Sequence, residues 1–261
     1  MRKLLYRILA GWFGYTGTNP NPESSVPLNT GRDADLHRKL QSRMRLYTFL
    51  ADHEQAVIRD FVRQFYEGKH VYAHPDITDV EDALLVIAAN AALVGAAQKT
   101  HCFSSVKWLY LCADDLDVDG DAYESSTVRL DSDLCVEESR HPRPGENLVV
   151  HEFSHILDAQ FGLSSSTPGL REGFERYVDD IQQGRWVPIA DCFTDTAAIE
   201  PLFDSPDAAF HTDVEFFATA SEAFFTNARE LRQYNPELYA DLSSIYGLDL
   251  ADLDWQAIWN A

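Results

Sequence analysis

The stretch His151-Glu152-Phe153-Ser154-His155 carries two imidazoles and a carboxylate in the pattern His-Glu-x-x-His. On an α-helix, residues four apart project from one face, so both histidines can grip one metal ion. Glu152 follows the first histidine and can reach a water on that ion. Two zinc ligands and one general base in this spacing are the arrangement of metal-assisted peptide hydrolysis. The competing reading is a pair of core histidines satisfied by backbone groups or carboxylates, because a buried imidazole must satisfy two ring nitrogens.

A catalytic zinc takes a third protein ligand and leaves one position for water. A longer motif would supply Gly and a third His further along the same segment. Those positions hold Asp158 and Phe161, so the metzincin class is excluded and the ligand must come from elsewhere. The segment Thr212–Phe225 has an apolar stripe of Val214, Phe217, Ala218, Ser221 and Phe225 at helical spacing, with Glu215 and Glu222 seven apart on another face. Spacing leaves the third ligand open among Glu215, Glu222 and His211. Thr212 and Glu215 also fit a capping box, and Glu222 fits a solvated position. Asp158, one turn beyond His155, and Glu222 are candidates to orient an imidazole through its free N–H. A capping or surface role fits Asp158 equally.

These residues need helices to hold them. Pro144-Gly145 breaks the chain, Asn147 suits an N-cap, and nothing interrupts a helix over 147–160. The third-ligand helix is expected over 213–228. Residues 34–67 read as two helices broken near Ala51-Asp52, and Lys69–His74 as a short strand. Asp79 is the N-cap of a helix to about Ala97, too short and too interrupted by Asn90 to span a bilayer. Strands are expected at 106–111 and 127–130, and a helix over Leu170–Gln183. The acidic run 115–121 begins like a calcium loop but carries Ser126 where the bidentate Glu belongs, so an exposed hairpin turn is the reading. Residues 184–210 lack periodicity and suit a lid or substrate-binding loops. Residues 1–15 are basic and aromatic and read as a helix docking on the protein or a partner, ahead of an interfacial helix or a signal peptide. Residues 16–33 are a linker rich in Thr, Asn, Pro, Ser and Gly. The organisation is therefore an N-terminal segment and linker, 1–33, and one domain, 34–261, of the α+β class, mostly helical with a small sheet.

Composition sets limits. The chain has 261 residues with 42 acids against 21 bases, a formal net charge of −21. Phosphate backbones need a basic surface, so nucleic acid is excluded as a partner. Cys102, Cys112, Cys135 and Cys192 form no Cys-x-x-Cys pair; free thiols in a reducing cytosol are the expectation. No transmembrane segment is expected.

Three segments resemble the zinc-dependent peptidases of the Mlc titration factor A family. Asn147–Asp158 looks like that family's metal-binding helix, Glu215–Phe225 is similar to its third-ligand helix, and Pro236-Glu237-Leu238-Tyr239 with Tyr246 looks like its closing helix. The resemblance covers roughly residues 36–250. It implies a gluzincin-like fold, similar in its core to the anthrax lethal factor peptidase domain, and one Zn2+ per chain held by His151, His155 and Glu215. It further implies Glu152 as base, a peptide substrate with aminopeptidase-like action, and a cytoplasmic location. The founding member binds and inactivates a transcriptional repressor, which implies a regulator protein as a possible partner. Sequestering such a partner, with a mainly structural metal site, is the alternative function. One position departs from the family: the Tyr expected seven residues before the third ligand is Ala208. A phenol there would help stabilise an oxyanion, and His211 is a substitute donor.

Overall fold

The Asp79 side chain accepts the backbone N–H of Asp82 at 3.2 Å, and from this cap helix α3 runs over Val80–Gly95. Leu84, Val86, Ile87, Leu93 and Val94 are all essentially inaccessible to solvent. Fully burying each such side chain stabilises by about 1.5–3 kcal/mol. This helix, with the short turn that follows it, is the one described segment long and apolar enough to cross a membrane. It is the core around which the other elements pack. Its Asn90 is 2% exposed and fully employed. It donates to Val86 O and Ser139 Oγ at 2.9 and 2.7 Å and accepts from Asn147 Nδ2 at 2.9 Å. A buried amide is tolerated when so satisfied, and here it ties the central helix to Asn147, just ahead of the helix that carries His151 and His155.

The computed structural model describes residues 31–98, 102–112, 120–123, 126–189 and 206–260, with the backbone alone at 120–123 and 206–212. Two helices precede α3: α1, Asp33–Arg43, and α2, Asp52–Phe65, with a 3-10 turn at Leu46–Phe49. The break expected near Ala51 is present, and Ala51 N–H donates to Glu54 at 2.7 Å. Then come β1, His70–Ala73; β2, Trp108–Cys112; β3, Gly120–Tyr123; and β4, Thr127–Asp131. The remaining helices are α4, Ser132–Arg140; α5, Leu148–Phe161; α6, Leu163–Ser166; α7, Pro168–Gln182; α8, Pro206–Thr226; α9, Ala228–Tyr234; α10, Pro236–Tyr246; and α11, Trp255–Trp259.

The four strands form one sheet in the order β1-β2-β4-β3. β1 pairs with β2 and β2 with β4 in parallel, with Val71 opposite Leu109 and Leu109 opposite Val128. β3 pairs antiparallel with β4. A parallel pair needs a crossover, and α3 supplies it between β1 and β2. Alternation sends Val71, Leu109, Leu111, Val128 and Leu130 inward to the helices. His70, Tyr72, Trp108 and Tyr110 stack along the other face. The α+β class, mostly helical with a small sheet, is the observed one.

At the sheet and just after it, two differences from the expectation concern β3 and α4. Gly120 and Asp121 belong to strand β3 rather than to a turn, while residues 113–119 lie outside the described residues. The helix α4 was not anticipated. Its cap is Asp131, whose carboxylate accepts the N–H groups of Asp133 and Leu134 at 2.9 and 3.0 Å.

Candidate metal centre

Helix α5, which carries His151 and His155, is clamped at its start. Asn147 Oδ1 accepts the Val150 N–H at 3.0 Å, and Glu138 Oε2 accepts the Leu148 N–H at 2.7 Å. The first N–H groups of a helix have no internal partner, so these two oxygens fix where it begins. Gly145 holds a left-handed conformation (φ 81°) and donates its N–H to Thr226 Oγ1 at 2.8 Å, pinning the entry loop to the end of α8. Helix α5 packs most extensively against α8, and also against α3, β3 and β4.

Between α5 and α8 three side chains converge. His151 Nε2 and His155 Nε2 lie 3.1 Å apart. Glu215 brings Oε2 to 3.4 Å from the first and Oε1 to 3.3 Å from the second. Ligands about 2.0–2.1 Å from a tetrahedral metal stand roughly 3.3 Å from one another, so the donor set and its spacing fit a zinc-sized ion. His151 is 3% exposed, while the side chains of His155 and Glu215 retain 17% and 24%, leaving access from one side. Burial acts to raise the Glu215 pKa, but the His155 and His151 imidazoles outweigh it and hold this carboxyl well below its ordinary range. It is therefore an anion facing two rings, the state a ligand needs.

Glu215 lies deep within α8, which starts at Pro206 rather than near 213 and ends at Thr226 rather than at 228. A capping box at Thr212 is thereby excluded, since that motif requires the first turn. Glu222, two turns further along α8 and 6% exposed, does not join the three donors. Its Oε1 lies 2.9 Å from His151 Nδ1, within ion-pair range. Glu152 is 3% exposed beside His151. Burial, followed by the charges of Glu138, Asp131 and Glu152, pushes the Cys135 thiol well above its ordinary value. The Glu152 carboxylate is thus felt on the α4 side.

Asp158 is placed elsewhere. Gly162 ends α5 in a left-handed conformation (φ 63°) and turns the chain back. The Ser164 N–H and hydroxyl then donate to the two Asp158 oxygens, each at 2.7 Å. Asp158 staples this turn and holds no imidazole, so the capping role is the observed one. His211 and Ala208 fall in the backbone-only part of α8, and most of the acidic run 115–121, Cys192 and residues 190–205 lie outside the described residues. Cys102 and Cys135 are free thiols, both buried.

A buried hydroxyl junction, not legible from spacing, joins α5 and α8. Tyr246 of α10 donates to Ser221 Oγ at 2.6 Å and lies 3.5 Å from Ser154 Oγ, while Ser221 in turn donates to Phe217 O at 2.6 Å. Burial pushes the Tyr246 phenol up to about 12, keeping it a donor at neutral pH.

Comparison with known proteins decides the family. The sequence pattern of the glucose-regulated metallopeptidase M90 family matches residues 112–247, just over half of the chain. The chain belongs to this family. The match spans the metal helix, α8 and α10 of this M90 protein. The chain is also similar to an uncharacterized protein of Synechocystis sp., 22% identical over 238 residues that make up 80% of this chain and 82% of that protein. Family membership suggests a metal ion, and His151, His155 and Glu215 of the M90 chain lie close enough to bind one.

Proposed function

We propose that this protein is a zinc-dependent peptidase in which His151, His155 and Glu215 hold the metal and Glu152 is the general base. The observation that carries the reading is the convergence of three ligand atoms within 4.8 Å between α5 and α8, on a chain of a metallopeptidase family. A zinc ion held there would lower the pKa of its bound water and polarise the scissile carbonyl. Glu152 accepts the proton of the attacking water and returns it to the leaving amine. Glu222, at 2.9 Å from His151 Nδ1, biases the proton to that nitrogen and leaves Nε2 with its lone pair toward the metal. The half-open sides of His155 and Glu215 are where a peptide substrate reaches the site. An aminopeptidase-like preference fits the family resemblance, and free thiols at Cys102 and Cys135 suit a reducing cytosol.

The test is peptide hydrolysis by the zinc-loaded protein and its Glu152→Gln variant. Loss of at least 100-fold in kcat, on the scale of general-base effects, with zinc retained is the expected outcome. Equal rates in both proteins would overturn the enzymatic reading.

A further inference from the structure

Away from the metal centre, α2, the end of α3 and the turn after α10 enclose an apolar groove of about 210 Å³. Val57, Ile58, Leu93, Ala96, Tyr246 and Leu248 line it. Val57 is one of three large hydrophobic side chains exposed among the described residues, at 48%. An apolar cavity of about 150 Å³ is large enough to hold benzene, so this groove takes one bulky aromatic ring.

The sequence supplies such a ring on a fitting carrier. At helical spacing, Leu5, Ile8, Leu9 and Trp12 share one face of residues 1–15, with Lys3 and Arg7 on the other. Arg2, Lys3 and Arg7 make that segment basic within a chain of net charge −21. The groove rim carries Glu54, and the exposed Asp52 and Asp249 adjoin it in sequence. The chain enters the described fold close by. Asp33, the first residue of α1, is held by Arg59 and Arg63 of α2, the helix that brings Val57 and Ile58 to the groove. Those arginines lie on the far side of α2. The 17 residues from 16 to 32 span up to about 55 Å when extended, several times the roughly 10–12 Å width of a helix. They reach round it with slack.

We propose that residues 1–15 dock as an amphipathic helix on this groove, with Trp12 seated between Val57 and Tyr246. The basic face then looks outward, toward the acidic rim and solvent. The inference is independent of the metal chemistry.

Two measurements on the full chain test it. A photo-cross-linking amino acid placed at the exposed Val57 position is expected to capture a peptide between Leu4 and Phe13 within the same molecule, in the monomer band. Capture of a second copy, of lipid from added anionic vesicles, or of any other segment overturns the proposal, as does no capture at all. Trypsin is expected to cut after Arg7 at least tenfold more slowly in the native chain than in Trp12→Ala, a substitution outside the folded core. Equal rates also overturn it.

Discussion

Glu222 sets Oε1 2.9 Å from Nδ1 of His151, while Nε2 of the same ring faces Glu215 at 3.4 Å. One imidazole therefore has a carboxylate near each of its ring nitrogens. The outer partner of a metal-bound histidine fixes its tautomer and raises its basicity, and losing it typically weakens metal affinity by about 10–100-fold. Glu222→Gln keeps the shape and removes the charge. Zinc affinity, measured by competition with a chromophoric chelator, is expected to fall by that range. Unchanged affinity would mean that Glu222 does not act on the ring.

Asp158 gives the opposite expectation. Its oxygens are taken by Ser164, so Asp158→Ala strands two donors near the end of α5. A buried donor left unmet costs about 1–3 kcal/mol. Urea unfolding of the metal-free protein is expected to show that loss, with zinc affinity within about twofold of the native value. A tenfold loss of zinc affinity at unchanged stability would put Asp158 back at the histidines.

Tyr246 ties together α5 and α8, the helices of His151 and Glu215. Removing its hydroxyl in Tyr246→Phe breaks the bond to Ser221 and is expected to cost about 0.5–1.5 kcal/mol. Since 1 kcal/mol moves the Tm of a domain this large by about 2–4 °C, a calorimetric fall of a few degrees checks it. No fall would show that the junction contributes nothing net.

A pH dependence follows from Asp180. Burial acts to raise its pKa, but the Tyr234 hydroxyl at 2.6 Å and the Arg185 guanidinium outweigh this and hold the carboxyl below 3.8. The folded pKa is thus lower than the unfolded one. Its stabilising contribution is present above about pH 4 and is lost as pH falls through the folded value. Asp180→Asn is expected to be less stable at pH 7, and the difference from the native protein is expected to shrink as pH drops below 4. Urea midpoints at pH 7 and pH 3 measure this, and a constant difference would contradict it.

What the sequence made legible follows its local signals. Asn147, the uninterrupted run to Gln160 and the four-residue spacing of His151 and His155 are nearest-neighbour facts, and α5 appears where they place it. Asp79 and the apolar run after it marked the central helix for the same reason. Glu215, Glu222 and His211 could not be ranked by spacing, because which carboxylate meets which imidazole depends on how α8 lies against α5, a tertiary fact. Asp158 had two readings because periodicity stops at Gly162, and only the left-handed turn there shows that Ser164 comes back to it. The apolar stripe becomes legible only near residue 213, seven residues after α8 begins, because Asp207, Ala208 and Ala209 carry none of it. Strand β3 was read as loop because its acidic, Gly-containing sequence has no strand alternation, and its order comes from pairing with β4.

The central claim is that His151, His155 and Glu215 together hold one catalytic zinc. Native mass spectrometry of the zinc-loaded protein and of Glu215→Ala, at equal free zinc, addresses it most directly. One zinc per native chain is expected, with at least a tenfold weaker occupancy in the variant and both proteins folded. Equal zinc occupancy in the two, or none in the native chain, would contradict it.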